Sequence, residues 1–175
     1  MKRFWSMEEL HEQWSVSADD VAQMPDKQQS GRLGFVAQLA FYRAHHAFPD
    51  HRGALAPMVI EHLAGQVGVF AWTLNDYDWN DRTGRRHRES ILDYLGVRAF
   101  DDDAENAFRA WLLNDALPKE PNDDTLEEWI TAWLRRTKLE RPGEYRLDRA
   151  MRSTRRTHDD GVLDRVLGHL DVEMR

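Results

Sequence analysis

Apolar residues recur along this chain at the three- and four-residue spacing of a helix, and no alternating run is long enough for a strand. The pattern therefore predicts an all-α protein, a multi-helix bundle. Ser6 followed by Glu9 has the form of a capping box opening a short helix to about Gln13, and Ser17 with Asp20 opens a second to about Gln23. Pro25 then predicts a break. From about Gln28 to Ala47 the apolar positions Leu33, Phe35, Val36, Leu39, Phe41 and Tyr42 fall on several faces, which marks a central buried helix. Phe48 to Gly53 read as a loop. Pro57 suits the first turn of a helix running to about Val67, with a short helical piece after Gly68.

The second half continues in the same style. An arginine-rich helix is predicted over residues 82–95, stopping at Gly96. Asp101, Asp102 and Asp103 sit where acidic groups complement the start of the next helix, whose inward stripe is Ala104, Ala107, Phe108, Trp111 and Leu112. Pro118 and Pro121 separate it from a helix over 125–138 with Leu126, Trp129, Ile130, Trp133 and Leu134 facing inward. A turn from Glu140 to Gly143 leads to a helix over 145–157, and Val162, Leu163, Val166, Leu167 and Leu170 mark a final one. The helices over 125–138 and 145–157, with their Pro-Gly turn, have the form of a helix-turn-helix. The chain reads as one all-α region, with a finer division into residues 1–75 and 76–175.

Charge adds function to this outline. A net charge of −7 over 175 residues argues at first against nucleic acid. The distribution of that charge points the other way. Residues 135–156 hold nine basic side chains against three acidic, and residues 82–98 hold five against two. On the helix over 82–95, Arg82, Arg85 and Arg86 share one face while His87, Ile91, Tyr94 and Leu95 occupy the other. Only Glu89 and Asp93 are available as acidic neighbours at helical spacing, so most of these arginines lack a local partner. On the helix over 145–157, Leu147, Ala150, Met151 and Thr154 lie opposite Arg149, Arg152 and Arg156. The plainer meaning of either stripe is a solvated helix surface. The functional one is a groove or backbone contact, since guanidinium forks suit phosphate and the edge of guanine.

Other chemistry finds little support. Without cysteine the chain has no disulfide, zinc-thiolate site or thiol nucleophile, and a cytoplasmic setting is the expectation. No apolar run approaches a membrane span. His45, His46, Asp50, His51 and His62 lack the spacing of a metal motif, and the three consecutive aspartates read as a helix cap, so no metal or cofactor is expected. Phosphate-loop, dinucleotide and nucleophile-elbow motifs are absent. The seven tryptophans read mostly as core, with Trp79 as the possible outward exception.

Three blocks carry a resemblance: RLGFVAQLAFYRAHHAFP at 32–49, YDWNDRTGRRHRESILDYLGVRAF at 77–100 and KLERPGEYRLDRAMRSTRR at 138–156. Together they resemble the N-terminal region of the replicative transposases of the Tn-three family. The resemblance implies DNA binding: recognition of the terminal inverted repeats of a bacterial mobile element. The Asp-Asp-Glu catalytic domain of that family lies further along a much longer chain, so no strand transfer, and no enzymatic activity, is expected of these residues. The expected DNA-binding residues are Arg82, Thr83, Arg85, Arg86 and Arg88 in one group and Arg146, Arg149, Arg152, Arg155 and Arg156 in the other. The expected partner is double-stranded DNA, with the remainder of a transposase or a second protomer on the acidic side. The alternative is a regulatory fragment that pairs with a full-length transposase and has little DNA affinity of its own. A small enzyme would need a convergent polar pocket that the sequence does not display.

Overall fold

The computed structural model describes residues 5–24, 28–119 and 121–173, with side chains to residue 163. Pro25, Glu120 and the side chains of Val166, Leu167 and Leu170 lie outside the described residues. Among those described the fold is all-α, and the only pairing of extended backbone is an isolated bridge between Arg98 and Leu139. No described helix is long and apolar enough to cross a membrane. The chain divides into two compact units, Met1–Val97 and Arg98–Arg175.

In the first unit, helices α1 (Met7–Gln13) and α2 (Ala18–Ala22) begin at complete capping boxes. Ser6 Oγ accepts from the Glu9 amide while the Glu9 carboxylate accepts from the Ser6 amide, and Ser17 and Asp20 repeat the exchange. Two of the orphan donors of each short helix are thus satisfied locally. Helix α3 (Gln29–His45) buries ten of its 17 residues, as its many-sided apolar pattern requires. Helix α4 (Pro57–Val67) opens on proline and closes at Gly68 in the left-handed region, φ 68°. A 3₁₀ segment, Ala71–Asp76, leads towards α5 (Arg82–Leu95), capped by Asp81 and ended by Gly96. Leu33, Phe35, Leu39, Ile60, Leu63, Leu74 and Ile91 form the centre of this core, so the arginine-rich helix is built into the N-terminal unit.

In the second unit, α6 (Asp102–Trp111) starts at an Asp101 cap and widens into a π turn, Leu112–Ala116, followed by a 3₁₀ turn, Leu117–Lys119. Helices α7 (Asp123–Thr137) and α8 (Glu144–Glu173) follow. Phe108, Leu112, Leu126, Ile130, Leu134, Leu147 and Ala150 make the core. Helix α8 turns back along α7 far enough for Arg155 to pair with Asp123 in the first turn of α7 at 2.7 Å. Two expectations are corrected. The separate helices over 145–157 and from 162 are one continuous helix. Gly161 has open space around it, and a glycine inside a helix costs only about 1 kcal/mol. On α6, Ala107 is exposed and Glu105 is buried, because paired guanidinium groups make the carboxylate acceptable on the inner face.

Candidate nucleic-acid interface

Helix α5 divides as its sequence does. His87 and Ile91 are fully buried, Tyr94 and Leu95 are half-buried, and Arg82, Arg85 and Arg86 are exposed. Asp81 fixes the start by accepting from the Gly84 amide at 2.6 Å. Among the described residues, neither Arg82 nor Arg85 has an acidic partner. Thr83 is half-buried in the first turn. Arg88 stands apart from the other three. Its Nε donates to Gln38 Oε1 at 3.1 Å, its Nη2 donates to the Trp79 carbonyl at 2.9 Å, and its guanidinium lies 5.8 Å from the Phe48 ring centroid.

Close approach seats this helix. A Cβ on Gly84 would stand 2.5 Å from the Trp79 carbonyl oxygen, and one on Gly34 would overlap the Tyr77 ring. Only glycine permits α5 to meet the Asp78–Trp79 backbone, and Tyr77 to lie on α3, this closely. Trp79 belongs to this seat: it is 7% exposed and meets Tyr77 edge-on, so the outward role left open for it is corrected. The exposed tryptophan is Trp72, 61% accessible and stacked on Phe70 at 6.1 Å. At the far end of α5, Tyr94 donates to Asp20 at 2.9 Å, and Asp20 also takes a two-pronged bond from Arg43 at 2.7 and 2.6 Å. Burial opposes ionisation of Asp20, but the bonds from Arg43, Ser17 and Tyr94 outweigh it and hold the carboxyl well below the ordinary range.

The arginines of α8 are distributed differently. Arg146 donates to Glu105 and to Asp102, both at 2.7 Å, and lies over Phe100 at 5.4 Å. Arg149 reaches Glu105 at 3.6 Å, and Arg155 pairs with Asp123. Hydrogen bonds from Arg109 and then Arg146 lower the Glu105 carboxyl to about 2, and Glu105 in turn raises Arg146. Arg152 and Arg156 are exposed and make no ion pair among the described residues. Gln38, Asp20 and Arg43 help to seat α5, and Glu105 separately helps to hold α8, roles that the sequence pattern did not signal. Each acts through a partner more than twenty positions away, and no local spacing encodes that.

Among the described residues no three His, Asp or Glu side chains gather as a metal ion would require. His62 packs edge-on against His11, His45 lies beside Phe41 and Trp14, His46 beside Tyr42, and His51 bonds to Asp50. Asp101 caps α6 and Asp102 serves Arg146.

These features define an all-α protein of two units, each with an amphipathic helix that turns guanidinium groups outward. The chain belongs to the family described as a domain of unknown function (DUF4158), whose profile matches residues 1–154. Comparison with curated proteins gives no match.

Proposed function

We propose that this chain binds double-stranded DNA and recognises the terminal inverted repeat of a transposon, as the non-catalytic N-terminal part of a Tn-three-family transposase. The observation that carries the reading is the outer face of α5. Arg82 and Arg85 stand exposed without acidic partners among the described residues, beside exposed Arg86, on a helix whose other face is locked into a core. Concentrated, unneutralised guanidinium charge on a rigid element is what phosphate contact requires. The sequence resemblance at 77–100 points the same way. Helices α7 and α8 would act as the helix-turn-helix pair, with Arg149, Arg152 and Arg156 towards the duplex.

The test is a salt titration of binding to an inverted-repeat duplex against a random duplex. Three phosphate contacts from α5 alone contribute a slope of about −2.7 in log K against log salt. Charge reversal at Arg85 and Arg86 is expected to weaken binding by well over tenfold and flatten that slope by about two. Unchanged affinity in a folded double variant overturns the role of α5.

A second reading, pairing with a full-length transposase, has one observation in its favour: the stacked Phe70 and Trp72 rings are 65% and 61% exposed. Association that persists at high salt and requires the partner protein would support it in place of DNA contact.

A further inference from the structure

We infer that Arg88 and Gln38 are positioning residues that set the roll of α5 and so aim Arg82, Arg85 and Arg86, rather than Arg88 being itself a phosphate contact. The inference rests on the DNA-binding reading above.

Gln38 is the node. It is fully buried on α3, and its amide oxygen accepts from Arg88 while its amide nitrogen donates to Tyr77 Oη at 2.5 Å and, at a long 3.4 Å, to the Gly84 carbonyl. The Tyr77 hydroxyl in turn is hydrogen-bonded to His87 Nδ1 at 2.8 Å. The network therefore touches α5 at Gly84, His87 and Arg88, positions i, i+3 and i+4 on one face. Arg88 closes it from the side by bridging α3 to the Trp79 carbonyl. Its Nε and Nη2 both point into the protein, and its face covers Phe48, so this guanidinium is committed where those of Arg82 and Arg85 are not.

The geometry explains why such a clamp matters. Apolar burial is non-directional and tolerates a small roll of a helix, whereas a fork held by two acceptors does not. A roll of about 20° moves atoms at a radius of about 6 Å by about 2 Å, which spoils the alignment of a charged hydrogen bond while leaving the charge near its phosphate. Tyr94, bonded to Asp20, holds the other end of α5 against the same motion.

Four variants separate positioning from contact: Arg88→Lys, Arg88→Gln, Gln38→Met and Arg88→Gln with Gln38→Met. Arg85→Gln is the comparator, and the probe is the inverted-repeat duplex. If Arg88 positions α5, Arg88→Lys retains its charge yet weakens binding about tenfold, as do Arg88→Gln and Gln38→Met. The double variant is then no worse than either single, and all retain the wild-type salt slope while Arg85→Gln lowers it by about one. If Arg88→Lys binds like wild type and Arg88→Gln lowers the slope by about 0.9, Arg88 touches phosphate and the inference is overturned. Additive losses in the double variant overturn it as well.

Hydrogen exchange provides the readout that does not depend on DNA. Faster exchange of the α5 amides in Arg88→Lys, with α4 and α6 unchanged, supports the clamp, and unchanged protection of α5 removes it. Should Gln38→Met fail to fold, Tyr94→Phe, which removes one hydroxyl at the other end of α5, takes its place in both measurements. A wild-type chain that binds no duplex overturns the DNA reading, and the exchange experiment alone then decides whether the clamp exists.

Discussion

Helices α5 and α8 have the same sequence signature and different electrostatics. By count along the chain the C-terminal cluster is the more basic, with nine cations against three anions over residues 135–156. In space part of that charge is answered by carboxylates. Glu105 and Asp102 hold Arg146, Glu105 draws Arg149, and Asp123 takes Arg155. Helix α5 has fewer arginines, and the inward one, Arg88, is held by hydrogen bonds to the neutral acceptors Gln38 and the Trp79 carbonyl. Segregation in sequence is therefore not segregation in the fold. The acidic blocks at 101–105 and 123–128 lie far from the arginines along the chain, yet they supply the partners that hold α8 in place.

The sharpest way to break the comparison is to unseat one helix and leave the other. Gly84→Ala places a methyl group against the Trp79 backbone, and an overpacked site of this kind costs about 3 kcal/mol. A lowered urea midpoint, with loss of the Trp79 environment by fluorescence, is expected. Gly143→Ala, where nothing lies within 4 Å, should change stability by less than about 0.5 kcal/mol. Next in size is Glu105→Gln, which removes the anion that Arg109, Arg146 and Arg149 share and is expected to cost about 2 kcal/mol at neutral pH. The carboxyl sits at about 2 in the fold against 4.5 for a free glutamate. Because the folded value is the lower one, its contribution is present above about pH 4.5 and is lost as pH falls towards 2. Urea midpoints of wild type and Glu105→Gln should thus differ at pH 7 and converge near pH 2. A constant difference across that range would show that Glu105 acts through packing rather than charge.

The part of this architecture legible in the sequence is the part set by near neighbours. Ser6 with Glu9, Ser17 with Asp20, Pro57 and Gly96 placed four helix boundaries, because capping, proline and left-handed glycine are effects of three or four residues. The two faces of α5 were legible for the same reason. Trp79 was not, because it lies in a tight connection where helical periodicity does not apply, and its burial depends on Gly84 and Tyr77 rather than on spacing. The burial of Glu105 was not legible because Arg146, 41 positions later, makes it tolerable. Arg88 looked like its neighbours because its acceptor, Gln38, is 50 residues earlier. Outward and inward arginines differ by their partners, and in this fold those partners are remote.

The finest test concerns the two arginines that make α8 resemble α5. Arg152 and Arg156 are four positions apart on the exposed side and make no ion pair among the described residues. Their neighbours Arg146 and Arg155 on the same helix are paired with carboxylates. The local potential they supply should be correspondingly smaller. Arg152→Gln with Arg156→Gln is therefore expected to weaken inverted-repeat binding only about threefold at 0.15 M salt, where charges more than about 8 Å apart are largely screened. Glu105 sets the contrast: removing it in the Arg152→Gln, Arg156→Gln background should restore part of the lost affinity by releasing Arg146 and Arg149. If the double variant instead loses as much as charge reversal at Arg85 and Arg86, α8 is the principal contact, and the acidic partners serve to aim its arginines rather than to quiet them.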